Sequence, residues 1–250
     1  MVMTILIASQ NKKDVSAWQE RLAEHLPEAD VRHWTEDYDK AAVETVLMWK
    51  VPTDFLFDLP NLKLIQSLGA GVDHLVGAAL PHHVPLARIV DPWMTGSMSE
   101  FILMNVLRFF RHDPAYRRLQ AEGRWEDLGT PDRFETPIGI LGMGELGQDA
   151  ARKLRMMEFP VMGWSRSPKT VEGVESYTSR DGLGRMLRRA KMLICLLPLT
   201  QETRGLIDAE ILGLLPRGAY LINAARGGHV VDADLLAALD SGHIAGAALD

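Results

Sequence analysis

The hexapeptide Gly142-Met143-Gly144-Glu145-Leu146-Gly147 fits the pattern G-x-G-x-x-G and points to the fold of the chain. A short apolar run, residues 137–141, precedes it, and a helix-compatible stretch, residues 145–157, follows. Strand, glycine turn and helix in this order form the context in which the pattern binds a dinucleotide. Gly142 would permit the tight turn, Gly144 would admit the pyrophosphate, and Gly147 would let helix and strand pack closely. The alternative is a glycine-rich turn in an ordinary βα unit.

The residues after the next predicted strand, 159–164, indicate which dinucleotide is preferred. An NAD-binding unit usually has a carboxylate there for the ribose hydroxyls. This chain has Ser165-Arg166-Ser167-Pro168-Lys169 instead, with two cations and two hydroxyls. Charge-assisted hydrogen bonds from such groups suit a 2′-phosphate, which an Asp would repel. We therefore expect NADPH, with NADP preferred over NAD; the alternative is a polar loop with a chance arginine.

The composition limits which classes of protein this chain can belong to. The 250 residues carry a net charge of −6 and are 47% hydrophobic, which gives no reason to expect nucleic acid as a partner. The single cysteine, Cys195, lies in an apolar run and is interpreted as a small core residue. No apolar stretch approaches the roughly 18 residues of a membrane helix, and the apolar start, residues 1–8, reads as a buried strand. We expect a cytoplasmic protein that contacts no membrane and holds no metal.

The pattern along the chain predicts two α/β domains. Residues 1–90 form one βα series, interpreted as the N-terminal part of a substrate domain, with strands near 3–8, 42–49, 62–68 and 87–90. Residues 91–250 form the NADP-binding domain, where strands and helices alternate from Thr136 onward. Apolar strands that alternate with helices imply Rossmann-like or flavodoxin-like, doubly wound parallel sheets, here placed around a cleft.

A helix predicted from Ser99 to Arg111 is apolar around most of its circumference, after a break at Asp91-Pro92. A helix of this kind is buried or shared with a partner. The polar and aromatic segment 114–133 follows and is interpreted as an arm that leaves the compact body. Residues 99–133 are therefore expected to form the interface of a homodimer.

Four motifs stand together in the chain: Gln66-Ser67-Leu68-Gly69-Ala70-Gly71-Val72-Asp73-His74, the glycine pattern, Leu196-Leu197-Pro198-Leu199-Thr200-Gln201-Glu202-Thr203-Arg204, and Leu221-Ile222-Asn223-Ala224-Ala225-Arg226-Gly227-Gly228. Their combination resembles the D-isomer-specific 2-hydroxyacid dehydrogenase family. The stretches Gly163–Lys169 and Arg226–His229 are similar to its NADPH-dependent glyoxylate/hydroxypyruvate reductase A-like branch. The resemblance covers nearly the whole chain.

The resemblance implies that Arg226 is the catalytic arginine, on a loop after a strand. Physical chemistry agrees, because a planar guanidinium can bond both to the carboxylate and to the adjacent carbonyl of a 2-keto acid. Such contacts polarise the carbonyl and stabilise negative charge as hydride reaches the carbon. The alternative is a surface arginine in a glycine turn.

The resemblance also implies a carboxylate cradle at Gly69-Ala70-Gly71, where small residues expose backbone N–H groups. We expect Ala70 and Gly71 to bind substrate together with Arg226, and Trp49 to form a wall of the pocket. A glycine-rich turn at residues 69–71 and a core aromatic at Trp49 remain the alternatives.

The cofactor-binding positions expected from the pattern and the resemblance are Gly142, Met143, Gly144, Glu145, Leu146, Gly147, Ser165, Arg166, Ser167, Leu197, Pro198, Thr203, Ala224, Ala225, Arg226 and Asp250. Asp250 would bind the nicotinamide carboxamide. Thr203 is alternatively a cap, and Asp250 an exposed terminal residue.

The family's general acid, a histidine paired with a glutamate, would lie after Asp250. The sequence therefore reads as truncated there, with the C-terminal part of the substrate domain absent. His74, His229 and His243 do not match that histidine by motif. His229 follows the arginine loop and could lie near the site, but it is interpreted as a polar loop residue; the position near the site is the alternative.

The function expected from these observations is NADPH-dependent reduction of glyoxylate to glycolate and of hydroxypyruvate to D-glycerate. Two alternatives stay open. One is a corepressor-like or sensor protein that binds NAD(P) on the same fold. The other is a dehydrogenase that acts on a different small acid.

Overall fold

The computed structural model describes residues 3–10, 13–75 and 77–250. The chain divides into two compact units, Met1–Val90 and Asp91–Asp250. Met1 and Val2, which begin the first predicted strand, lie outside the described residues. The predicted α/β class with two parallel sheets is confirmed.

The first unit is built on a parallel five-stranded sheet. Its elements are β1 (Thr4–Ser9), α1 (Lys13–His25), β2 (Asp30–His33), β3 (Val43–Trp49), β4 (Leu64–Ser67) and β5 (Leu86–Ala87). The strand order is β2-β1-β3-β4-β5, the flavodoxin-like order, and the direction of winding changes between β1 and β3. Ser9 and Trp49 pair at the carboxyl ends of those two strands. Trp49 therefore stands at the switch point, where open α/β sheets bind ligands.

The second unit contains a parallel six-stranded sheet with helices on both faces. Its elements are α2 (Pro92–Phe110), α3 (Asp113–Ala121), β6 (Ile138–Leu141), α4 (Glu145–Met156), β7 (Val161–Trp164), β8 (Val174–Tyr177), α5 (Ser179–Leu187), β9 (Met192–Cys195), α6 (Ala209–Leu214), β10 (Ala219–Asn223), α7 (Asp232–Asp240) and β11 (Ile244–Leu249). The order β11-β10-β9-β6-β7-β8 is that of a dinucleotide-binding Rossmann sheet. Its switch point lies between β6 and β9.

Two apolar clusters hold this second sheet. Ile102 and Val106 of α2 pack with Ala150 and Leu154 of α4 on one face. Leu183 of α5 belongs to the cluster on the other face, together with residues of α6 and α7. Every residue of β6 and β9 is buried, as expected for central strands that are covered on both faces.

The predicted start of α2 at Ser99 is wrong, because the helix begins at Pro92. The Asp91 carboxylate accepts hydrogen bonds from the backbone N–H groups of Trp93 (3.2 Å) and Met94 (3.0 Å). Proline at the first helical position needs no hydrogen-bond partner, so Asp91-Pro92 starts a helix instead of interrupting one. The predicted arm, residues 114–133, includes most of α3 and has no regular structure after Ala121.

Candidate active site

The glycine turn joins β6 to α4 at the switch point of the second unit. Gly142 has φ +99°, and its N–H donates to the carbonyl of Trp164 (2.9 Å). A Cβ at this position would lie 2.8 Å from the carbonyl carbon and oxygen of Leu196, the residue directly after β9. Glycine is therefore required at residue 142 both by its backbone conformation and by the approach of the neighbouring strand.

The other two glycines differ in their surroundings. Gly144 is the N-cap of α4, and no heavy atom lies within 4 Å of the point where its Cβ would stand. A Cβ at Gly147, by contrast, would overlap the carbonyl oxygen of Gly142. Gly147 thus permits close packing between helix and turn, whereas nothing in the protein itself requires glycine at residue 144. An open Gly144 beside a helix N-terminus without a side-chain cap is a cradle that fits a pyrophosphate.

The side chains between these glycines point in different directions. Met143 is only 3% exposed and packs against Gly163 of β7, where a Cβ would overlap it. Only the backbone of Met143 can therefore face a ligand. Glu145 is exposed in the first turn of α4, and Leu146 is half-buried.

The loop after β7 carries the predicted phosphate-binding residues. Arg166 and Ser167 are exposed, and Arg166 forms no ion pair with any residue that the structure describes. Ser165 is buried, and its hydroxyl donates to the carbonyl of Ser167 (2.8 Å). The hydroxyl hydrogen of Ser165 is thus used to shape the loop, which leaves Arg166 as the principal group that could meet an anion.

Strand β8 holds this loop in place. The N–H of Ser165 donates to the carbonyl of Tyr177 (3.1 Å). On the same strand, Glu175 accepts hydrogen bonds from both terminal nitrogens of Arg189 (2.6 and 2.8 Å). The Arg189 guanidinium lowers the pKa of Glu175, so this carboxylate stays charged and paired beside the loop.

The loop after β9 contains three of the predicted cofactor positions. Leu197 is half-buried and Pro198 is exposed. Thr203 donates its hydroxyl hydrogen to the carbonyl of Pro198 (2.7 Å) and accepts from the N–H of Thr200 (2.8 Å). Thr203 therefore closes the turn that presents Pro198. At the end of β9, burial raises the pKa of the Cys195 thiol to about 11, which excludes it as a nucleophile near neutral pH.

The loop after β10 presents Arg226. Ala224 is buried, Ala225 is half-buried and the Arg226 side chain is exposed, with one terminal nitrogen donating to the carbonyl of Ala225 (2.8 Å). Asn223 donates through its side-chain amide to the carbonyl of Arg226 (2.9 Å) and accepts from the N–H of Ala225 (3.2 Å). One buried amide therefore fixes the backbone on both sides of the arginine.

Asp250 follows β11 beside this loop. Its N–H donates to the carbonyl of Asn223 (3.0 Å), and its side chain is exposed. Because β10 and β11 are parallel neighbours, Arg226 and Asp250 both lie at the carboxyl edge of the sheet, on the side of the glycine turn.

The first unit groups the predicted substrate residues. Trp49 is half-buried and packs against Gly69, where a Cβ would overlap its ring. The N–H of Gly69 donates to the hydroxyl of Ser67 (3.3 Å), whereas those of Ala70 and Gly71 donate to no acceptor within the described part of the chain. Two adjacent available N–H groups fit the expected carboxylate cradle.

One residue near Trp49 was absent from the sequence prediction. The ammonium of Lys50 lies 5.3 Å from the centroid of the Trp49 ring, and Lys50 itself has φ +52°. His74 contacts the same ring edge-on, with 4.7 Å between ring centroids. A lysine directly after an aromatic strand end carries no sequence signal that would separate it from an ordinary surface lysine.

Comparison with known proteins identifies the family. Residues 103–250 match the NAD binding domain of the D-isomer specific 2-hydroxyacid dehydrogenases. The chain belongs to this family. It is therefore an NAD(P)-dependent oxidoreductase of the 2-hydroxyacid dehydrogenase type, as the motifs predicted.

Curated relatives of this dehydrogenase agree. It is 41% identical to glyoxylate/hydroxypyruvate reductase A of Serratia proteamaculans, over 93% of this chain and 76% of that protein. It is 42% identical to the protein of the same name from Escherichia fergusonii, over 95% and 77% of the two chains. The predicted resemblance to the glyoxylate/hydroxypyruvate reductase A branch is confirmed.

Solved structures of similar dehydrogenases contain the phosphorylated cofactor. A family member from Xanthobacter autotrophicus Py2 in complex with NADPH and MES superposes with a TM-score of 0.93 at 42% identity, over 100% of this chain and 81% of that one. The NADPH-dependent glyoxylate/hydroxypyruvate reductase of Sinorhizobium meliloti, in complex with NADP and sulfate, gives 0.87 at 40% identity, over 99% and 80%.

The described residues of this dehydrogenase contain neither a metal-binding cluster nor a membrane-spanning helix. No group of three or more His, Cys, Asp or Glu side chains there is arranged to hold a metal ion. None of the helices in the described segments has the length and apolar character needed to cross a membrane.

Proposed function

We propose that this dehydrogenase reduces small 2-keto acids with NADPH, glyoxylate to glycolate and hydroxypyruvate to D-glycerate. The observation that carries the proposal is the exposed guanidinium of Arg226 on a loop whose backbone is fixed by a buried amide. A guanidinium held at the carboxyl edge of a dinucleotide-binding sheet can grip a planar carboxylate and the adjacent carbonyl together.

The proposed chemistry assigns separate tasks to the residues of the chain. Bound NADPH would supply the hydride that reduces C2 of the keto acid, and the carbonyl oxygen would take up a proton from the histidine that the family resemblance implies. Arg226 would polarise the carbonyl and stabilise the negative charge that develops on its oxygen. The N–H groups of Ala70 and Gly71 would bind the substrate carboxylate, and Trp49 would restrict the size of the substituent beyond C2.

The residues of the second unit fit the dinucleotide. The open Gly144 and the N-terminus of α4 suit the pyrophosphate, and the exposed Arg166 and Ser167 suit a 2′-phosphate. Leu197, Pro198, Ala224 and Ala225 are proposed to line the nicotinamide end, with Asp250 as acceptor for its carboxamide. The bound cofactors of the two similar solved structures support this choice.

We also propose that the protein is a homodimer through α2 and the segment that follows it. Trp125 is 100% exposed in this unit, and Trp93, Met104 and Phe134 are exposed as well. Large aromatic and apolar side chains in one sequence segment are typical of an interface between copies.

The test of the function is a steady-state assay of NADPH oxidation with glyoxylate, hydroxypyruvate, pyruvate and larger 2-keto acids. We expect the two named substrates to give the highest kcat/KM. The variant Arg226→Lys should lose most of this activity. Arg217→Lys is its matched control, because Arg217 is also exposed and donates to a backbone carbonyl, that of Ser241 (2.7 Å). Binding of NADPH without turnover of any acid would favour a sensor and contradict the proposal.

A further inference from the structure

His229 is buried next to the proposed catalytic arginine. It ends the short 3₁₀ turn Gly227–His229 that follows Arg226, and its side chain is 0% exposed. The structure therefore favours the alternative that His229 lies near the site, since its ring is buried against the arginine loop. A histidine in this environment must satisfy its ring nitrogens within the protein or leave them unpaired at a cost in free energy.

The two ring nitrogens of His229 have different environments. Nδ1 lies 3.0 Å from the backbone carbonyl oxygen of Arg226, and Nε2 has no hydrogen-bond partner among the residues that the structure describes. A carbonyl oxygen can only accept, so Nδ1 must carry the hydrogen. The opposite tautomer would place a lone pair against the carbonyl and bury an unpaired N–H at Nε2. Both changes are unfavourable in free energy.

The Arg226 carbonyl is thus held by three donors. They are the side-chain amide of Asn223 (2.9 Å), the ring of His229 (3.0 Å) and the backbone N–H of His229 (3.2 Å). Asn223 is itself only 2% exposed. The peptide group that follows the Arg226 side chain therefore has little freedom to rotate.

The support extends to a separate segment of the unit. The carbonyl of His229 accepts from the N–H of Ile207 (2.9 Å), and that of Gly228 accepts from the N–H of Gly205 (2.8 Å). Ile207 and Val230 also form an isolated parallel bridge. The backbone of Gly228 and His229 therefore ties the arginine loop to residues 205–207, and the imidazole adds the bond to the Arg226 carbonyl.

We propose that His229, in its Nδ1-protonated form, is a positioning residue that acts through the Arg226 carbonyl and sets the direction of the guanidinium. This inference rests on the proposed role of Arg226. Small errors in the placement of a catalytic group reduce turnover far more than they reduce binding. His229 touches neither substrate nor cofactor in this scheme.

Two substitutions separate positioning from simple packing. His229→Asn keeps an N–H close to the position of Nδ1, whereas His229→Leu removes it and keeps an apolar side chain. We expect His229→Leu to lower kcat by about 10- to 100-fold, the scale of a misplaced catalytic group. The Asn variant should recover most of that loss, and the dissociation constant of NADPH should be nearly unchanged in both. His243→Leu is the matched control, since the His243 ring also bonds a backbone carbonyl, that of Leu212 (3.0 Å), in another loop.

A double-mutant cycle tests the route of the effect. If His229 acts through Arg226, His229→Leu should cost little further turnover once Arg226→Lys has removed the guanidinium fork. Equal losses in both backgrounds would show a merely structural role and overturn the inference.

NMR tests the tautomer in the unmodified protein without any substrate. Long-range ¹H–¹⁵N correlations of ¹⁵N-histidine-labelled protein should show a hydrogen on Nδ1 of His229, and His229→Asn assigns the signal. A proton on Nε2 would overturn the inference even if every variant failed to fold. If the parent protein is active and the His229→Leu variant keeps its kcat, the positioning role of His229 is overturned and the proposed function is not. If the parent protein reduces no keto acid, the proposed function is overturned. The effect on kcat inferred for the bond between His229 and the Arg226 carbonyl is then overturned with it.

Discussion

Gly147 lies so close to the backbone carbonyl of Gly142 that a methyl group at residue 147 would overlap the carbonyl oxygen. The neighbouring Gly144 belongs to the same pattern but has no protein atom near its Cβ direction, and its φ of −78° is accessible to any residue. Packing within the protein therefore requires the glycine at 147 but not the one at 144, which only the proposed pyrophosphate contact would require.

The first prediction uses this difference. Gly147→Ala should lower the free energy of unfolding by about 1–3 kcal/mol, the usual cost of overpacking. Gly144→Ala should leave the melting temperature unchanged but weaken NADPH binding, because its methyl group would stand where the pyrophosphate approaches. Thermal unfolding and fluorescence titration with NADPH measure the two effects. Unchanged NADPH affinity in Gly144→Ala would contradict the proposed cradle.

The second prediction concerns cofactor preference. Arg166 is exposed and unpaired within the described residues, so its removal should not disturb the fold. Arg166→Ala should cost about 1–3 kcal/mol of NADPH binding, the range for a hydrogen bond to a charged group, and leave NADH binding nearly unaffected. Lys169→Ala is the control in the same loop and should have the smaller effect. Equal weakening of both cofactors would show that Arg166 has only a structural role.

The central elements of the fold could be predicted from sequence because their signals are local. Each of the apolar strands β6 and β9, and the glycine turn, can be recognised from one short segment of the sequence. Strands β2 (Asp30–His33) and β8 (Val174–Tyr177) were not predicted, because each lies at the edge of its sheet and contains few apolar residues. Edge strands are defined by their neighbours more than by their composition.

The candidate site also contains residues whose positions could be predicted from sequence and residues whose positions could not. The loops at the carboxyl ends of the strands follow from topology, so the positions of Gly142, Pro198 and Arg226 could be anticipated. The supports of the arginine could not, because Asn223 and His229 act on a backbone carbonyl, and only the tertiary structure reveals that contact. A carbonyl acceptor leaves no complementary residue type in the sequence.

The third prediction concerns Cys195. Burial raises the pKa of its thiol to about 11, against an ordinary value of 9.0. As the pH rises, the unfolded chain therefore loses this proton first, so the contribution of the thiol to stability is present below pH 9 and is lost towards pH 11. We expect a thiol reagent at pH 8 to label Cys195 only after unfolding. Rapid labelling of the folded protein would contradict its burial.

The fourth prediction concerns assembly. Sedimentation velocity at micromolar concentration should show a dimer, because Trp125 and the exposed side of α2 would otherwise leave apolar surface in water. The double substitution Met104→Glu and Trp125→Glu should shift the protein towards monomer. Met156→Glu is the control, since Met156 is also exposed but lies on α4, outside the proposed interface. A monomeric parent protein would refute this interface.

The last prediction separates binding from chemistry at Arg226. Arg226→Lys keeps the positive charge but loses the planar fork that can hold the carboxylate and the carbonyl of a 2-keto acid together. Turnover should fall by roughly 10²- to 10³-fold, the scale seen when one transition-state donor is removed. NADPH affinity should change little, because the proposed phosphate contacts are made by the glycine turn and Arg166. Arg217→Lys should leave both quantities unchanged. A variant that retained full turnover while binding NADPH more weakly would assign Arg226 to the cofactor and not to the substrate.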